Sequence, residues 1–273
     1  MKTILTLLIL LPTILFSQED QTFYIDYSFE FEEESTQLMY GNNVVLRSQD
    51  DPTSKAMDTL RIGDPVKIIK KSETTTHING KPWHWYKVKA DKKTGYVLGG
   101  LIALDHKEIN GHTYLLTTAE RDSRMFARVR VMDKNKNYYG HEVEISSSTI
   151  SIEVDHNQGL TNVQDMCILS FHAEACGMIG GKAYLFNNGE RLFEAIRSEN
   201  MSEAGLFWFS ENVEFMGADY WEDNIAYFSR ENGEYMDDSM DWTQAVINKI
   251  RITWTGTEFT PDVSKLTFEV EED

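Results

Sequence analysis

The sequence predicts an all-β protein: a small N-terminal barrel followed by a larger antiparallel β domain, a sandwich or a barrel. Three observations predict it. Apolar residues come in short runs rich in Val, Ile, Phe and Tyr, the types that fit a pleated surface. Clusters of Gly, Pro, Asn and Asp separate the runs at short intervals. A helical period is almost absent: only "MDWTQAVINKI" offers a helical turn, with Asp241 as its N-cap.

The chain has 273 residues, 41% hydrophobic and 26% charged, a globular balance for one large or two ordinary domains. Its formal charge of −18 repels phosphate backbones, so no nucleic acid is expected as a partner. The first residues, Met1-Lys2-Thr3 and then "ILTLLILLPTILF" to Ser17, have the form of a secretory signal peptide. The run Ile4 to Phe16 is short for a membrane span, which needs about 20 residues. The expectation is an exported protein, periplasmic or extracellular, with no membrane span after signal cleavage.

The mature chain is expected to begin near Gln18. In residues 18–35, Phe23, Ile25, Tyr27, Phe29 and Phe31 alternate with other residues. That period of two fits a strand, and the acidic surroundings fit a disordered terminus equally.

Residues 36–105 read as the barrel. "NVVLRS" precedes a polar loop, "DDPTSKA". Then come "DTLRIGDPVKIIKK", a long polar loop "SETTTHINGKP", "WHWYKVKA", a turn at "DKKTG" and "YVLGGLIAL". Gly63 sits where the chain must turn before "PVKII", and Gly95 is expected to close the later turn. Leu46, Leu60, Val66, Val88 and Val97 occupy the apolar positions and are the candidate core. Val45-Leu46-Arg47-Ser48, Leu60-Arg61-Ile62-Gly63-Asp64-Pro65-Val66, Trp85-Tyr86-Lys87-Val88 and Gly95-Tyr96-Val97 follow one another in the order and spacing of a known family. Over about 65 residues this stretch resembles the bacterial SH3 (SH3b) domain. The resemblance implies an SH3-like barrel in an exported protein, and the long "SETTTHINGKP" departs from its minimal form.

Residues 106–273 continue as strands, among them "HTYLLTT", "MFARVRVM", "MCILSF", "KAYLFNN", "GLFWFS", "NVEFM", "KIRITW" and "KLTFEV". "EACGMIGGKAYLFNNG" and "ITWTGTEF" are similar to the C-terminal region of exported SH3b proteins, which implies architecture and no activity. Cys167 and Cys176 bracket a segment without a turn residue. As one strand it would hold the thiols roughly 30 Å apart, so no disulfide is expected between them.

Candidate chemistry is sparse. His172, Glu174 and Cys176 would share one face of a strand and are metal-ligand types, but one strand supplies too few ligands. They resemble the H-x-E half of a zinc deaminase site without its P-C-x-x-C half. Asp219, Glu222, Asp223, Glu234, Asp237, Asp238 and Asp241 form no regular calcium loop. No helix begins at either cysteine, as a cysteine peptidase would need. Tyr220, Trp221 and Trp208 read as core aromatics or as the lining of a sugar cleft. No catalytic residue, metal ligand or cofactor is therefore assigned.

The expected binding residues are Trp83, Trp85, Tyr86, Lys87 and Tyr96, where aromatic area meets basic charge. Trp83 and Trp85 share one face; outward they would form a docking surface, and inward they are core. Lys81, Lys87, Lys89, Lys92 and Lys93 are expected on outer faces and turns, where Lys opposes edge pairing. The reading is a non-catalytic, envelope-associated binding module for peptides, cell-wall fragments or an envelope protein, its oligomeric state open. The alternative is a cell-wall hydrolase, a peptidase or glycosidase, with its site in residues 106–273.

Overall fold

The computed structural model describes residues 23–24, 29–217, 222–236 and 243–266. They form three sheets in which all pairings are antiparallel. After β1 (Phe23–Tyr24), the first sheet holds β2 (Thr36–Leu38), β3 (Val44–Arg47), β4 (Ala56–Leu60), β5 (Pro65–Ile78), β6 (Lys81–Ala90) and β7 (Lys93–Leu98). Their order is β2-β5-β6-β7-β3-β4. Leu46, Leu60, Val66, Val88 and Val97 are buried inside it, as the strand pattern predicts.

The turn at Gly63 has φ +71°. Gly95 plays a different part from the one expected. The turn falls at Asp91, with φ +50°. Gly95 lies within β7, where a Cβ would come 2.6 Å from the Arg47 carbonyl oxygen.

The stretch "SETTTHINGKP" is strand rather than loop. β5 and β6 run on through it to a two-residue turn, Asn79 at φ +54° and Gly80 at φ +85°, the left-handed pair that a tight hairpin requires. The register shifts between Lys71↔Tyr86 and Thr75↔His84, so Ser72, Glu73 and Thr74 bulge from β5. The lengthened hairpin reaches the second sheet, where Glu120 N–H donates to the Asn79 carbonyl at 2.8 Å.

That second sheet is a meander of β8 (Asp105–Ile109), β9 (His112–Arg121), β10 (Arg124–Met132) and β11 (Tyr138–Ile145). The third runs through β12 (Thr149–His156), β13 (Asp165–Phe171), β14 (Gly180–Asn187), β15 (Leu192–Glu203), β16 (Phe207–Phe215), β17 (Ile225–Tyr235), β18 (Thr243–Trp254) and β19 (Phe259–Thr260). β1 joins it outside β12, making nine strands.

The barrel and the following sheets share one apolar cluster, from Phe31, Leu46 and Val88 through Tyr114 and Val129 to Leu169 and Leu185. β13 and β14 are buried on both faces. Cys167, Leu169, Ala183 and Leu185 enter that cluster. Met166, Tyr184 and Phe186 face a second one with Phe228, Ile252 and Trp254. Burial on both faces explains why these strands read as unbroken apolar runs.

Other sequence expectations need correction. Residues 243–250 are not helical: they open β18, which pairs with β17 from Tyr235↔Thr243 onward. Met240 to Trp242 lie outside the described residues. "GLFWFS" and "NVEFM" belong to one strand, β16. Both cysteines are free, Cys167 buried and Cys176 exposed. The expected lack of a bond holds, but for a different reason: β13 stops at Phe171, and a loop turning at Gly177 (φ +75°) leads to β14. Among the described residues, no helix is long and apolar enough to cross a membrane.

Candidate functional site

β6 is the spine of the barrel, and its alternation decides which expected binding residues meet solvent. Trp83, Trp85 and Lys87 share one face by strand parity. Near the hairpin tip that face is covered. Trp85 Nε1 donates to Thr76 Oγ1 of the extended β5 at 2.9 Å. Trp83 packs against Gly100, where a Cβ would come 2.6 Å from its Nε1. Both tryptophans are buried, at 7% and 5% exposure, so the pair is core and forms no outward docking face. Tyr86, on the opposite face, is also buried. Phe31 stacks edge-on against it with ring centroids 5.1 Å apart, and Phe31 N–H donates to its hydroxyl at 3.4 Å. Burial pushes the Tyr86 phenol up to about 12. Lys81 is likewise buried rather than decorating the surface, its ammonium 4.4 Å from the Trp83 ring centroid.

Lys87 and Tyr96 are half-buried and stay accessible. They stand opposite each other across β6 and β7. Lys70 pairs with Lys87 on one side, and Arg47 with Tyr96 on the other. The sheet thus presents a row Lys70, Lys87, Tyr96, Arg47, and the first three lie along the floor of an open groove of about 360 Å³. The bulge on β5 forms its wall. There Thr74 Oγ1 donates to Asp50 Oδ2 at 2.8 Å, and Ser72 Oγ donates to the same oxygen. These hydrogen bonds, the one from Ser72 foremost, hold the Asp50 carboxyl below its usual range. Lys71 pairs with Glu30, and an Arg47 Nη donates to the Ser54 carbonyl at 2.7 Å. Lys70 and Lys87 form no ion pair among the described residues. Two uncommitted ammoniums beside a tyrosine ring and a fixed carboxylate suit a ligand with carboxylates and a flat or aliphatic body.

A polar cluster between the second and third sheets was not expected from the sequence. Asp165, fully buried at the start of β13, accepts from His112 Nδ1 at 2.7 Å, from Asn187 Nδ2 at 2.8 Å and from the Tyr114 hydroxyl. Tyr139 in turn donates to Asn187 Oδ1. Burial, then the bond to Asp165, drives the Tyr114 phenol far above its usual range. A histidine oriented by a carboxylate is half of a hydrolytic triad. No described hydroxyl or thiol hydrogen-bonds His112 Nε2, and the nearby Cys167 thiol is raised far above its usual range by burial. The only signal in the sequence was a lone Asp immediately before an apolar strand.

The other candidates separate. His172, Glu174 and Cys176 lie in the loop after β13 and share no strand face. No group of metal-ligating side chains converges among the described residues. Trp208 packs on Tyr235, ring centroids 5.3 Å apart. Asp219, Tyr220, Trp221, Asp237, Asp238 and Asp241 lie outside the described residues.

A cavity of about 600 Å³ opens over β15 to β17 and is lined by Glu194, Arg197, Glu199, Glu211, Glu258 and Asp262, among others. Glu211 accepts from Glu199 N–H at 2.9 Å and from an Arg230 Nη at 3.1 Å. Burial outweighs both and raises its carboxyl above the usual range.

No curated protein and no solved structure matches the chain. Residues 42–103 match the family model described as "Bacterial SH3 domain". That span opens just before β3 and closes just after the turn Gly99–Leu101, taking in Lys70, Lys87, Tyr96 and Arg47. Residues 42–103 of this chain, and with them most of its barrel, are thus similar to a bacterial SH3 domain.

Proposed function

We propose that the protein is a non-catalytic, exported binding module whose bacterial SH3 domain docks a short peptide or cell-wall fragment in the groove floored by Lys70, Lys87 and Tyr96. The observation that carries this reading is the groove itself, where Lys70 and Lys87, without ion pairs among the described residues, stand beside Tyr96. The family match supports it, since such domains serve as cell-wall binding modules, often in exported proteins. Co-sedimentation with purified cell wall tests it. The wild type is expected to pellet, and the Lys87→Ala/Tyr96→Ala double variant to stay largely in solution. Equal pelleting of the two, or none by either, would refute it.

The cavity around Glu211 favours a second reading, a wall-active glycosidase in residues 106–273. A carboxyl raised above its usual range by burial near other carboxylates is the kind of group a general acid requires. Release of reducing sugar from purified wall, abolished in Glu211→Gln, would establish that reading; no release by the wild type would remove it.

A further inference from the structure

A separate cavity of about 220 Å³ lies where the tip of the β5–β6 hairpin meets the second and third sheets. Its walls come from distant parts of the chain: Lys81 at the start of β6, Thr118 and Glu120 on β9, Met125 on β10, and Glu174 and Met178 in the loop after β13. At about 30 Å³ per water, it has room for about seven waters.

Three features of these walls point to one kind of ligand. The first is Glu174. Ser148 Oγ and Thr149 Oγ1 each donate to its Oε1 at 2.7 Å, and Ser147 Oγ donates to the same oxygen at 3.3 Å. These bonds lower the Glu174 carboxyl below its usual range, so it is an anion at neutral pH. All three end on Oε1, and among the described residues no side chain donates to Oε2. The second is Thr118. It is 5% exposed, and its hydroxyl has no hydrogen-bond partner among the described residues. A buried hydroxyl in that state carries a desolvation cost that a ligand donor would relieve. The third is the remaining lining, where Ala119, Met125, Ile145 and Met178 supply an apolar surface. Thioethers there adapt to a flexible chain.

We propose that this junction cavity binds a primary ammonium on a short aliphatic stem. An ammonium brings three donors and no acceptor, and Glu174 and Thr118 offer acceptors. The methionines and Ile145 cover the stem. Glu174 gives the lining an anionic side chain, and the Lys81 ammonium lies over the Trp83 ring. The same chemistry occurs in a free alkylamine and in a lysine side chain of a partner peptide, and the experiment separates them.

The full chain is labelled with ¹³C at its methionine methyls and titrated with n-butylamine, with acetyl-glycyl-lysyl-glycinamide and with butyrate. The expected result is a saturable shift of the Met125 and Met178 methyls with n-butylamine and none with butyrate. A response to the peptide as well assigns the lysine side chain; a response to n-butylamine alone assigns a free amine. Glu174→Gln, in an exposed loop, is expected to weaken n-butylamine binding at least tenfold. Ala119→Leu, which fills the cavity, is expected to abolish it. Unmoved Met125 and Met178 methyls, an equal response to butyrate, or unchanged affinity in Glu174→Gln would overturn the proposal.

Discussion

His112 on β9 and Asp165 on β13 join two different sheets through a bond of 2.7 Å, with the Asp165 carboxylate fully buried. Such a carboxylate is tolerated only because His112, Asn187 and Tyr114 donate to it. Asp165→Ala leaves buried donors without an acceptor and opens a void. It is expected to destabilise the protein by about 3 kcal/mol or more. Asp165→Asn keeps the shape and should cost less. Urea unfolding of both variants measures this; a loss under 1 kcal/mol for the alanine would mean that the cluster is dispensable.

Tyr86 gives a pH dependence with a definite sign. Its phenol titrates near 12 when folded, against 10.0 ordinarily. Below pH 10 both states keep the proton. Between pH 10 and 12 the unfolded chain releases it and the folded chain retains it, so stability falls as pH rises through that window. Tyr86→Phe removes this contribution and should flatten that part of the stability profile. Tyr114 is shifted the same way, so the slope should shrink without vanishing. An unchanged slope would place the Tyr86 hydroxyl in solvent.

The hairpin tip can be tested through glycine. A Cβ on Gly80 would lie 1.6 Å from the Glu120 carbonyl oxygen, whereas one on Gly111 would meet nothing within 4 Å. The two have similar φ, +85° and +80°, so the backbone strain of an alanine is about the same at each. Gly111→Ala should cost about 1 kcal/mol and Gly80→Ala about 2–4 kcal/mol more, as the hairpin is pushed from β9. Equal thermal shifts for the two variants would show that the tip does not bear on β9.

The thiols should differ in reactivity. Cys176 is exposed, whereas Cys167 is buried and its thiol is held far above the usual range. Ellman titration is expected to find one reactive thiol per native chain and two in denaturant. Two fast-reacting thiols in the native protein would contradict the burial of β13.

The all-β class, the barrel and the core positions Leu46, Leu60, Val66, Val88 and Val97 were legible in the residues alone. Each follows from local rules: a period of two, a turn residue, a glycine where φ is positive. The tertiary structure alone decided which side of β6 is covered. Parity placed Trp83, Trp85 and Lys87 on one face, and nothing local distinguishes a buried tryptophan there from an exposed one. The distinction came from the extended β5 and from Gly100, which close over the tryptophans and stop short of Lys87 and Tyr96. The Asp165 cluster and the junction cavity were unreadable for the same reason. Their residues lie far apart in sequence, as His112 from Asp165 or Lys81 from Glu174, and only packing of one sheet on another sets which side chains share a low-dielectric space.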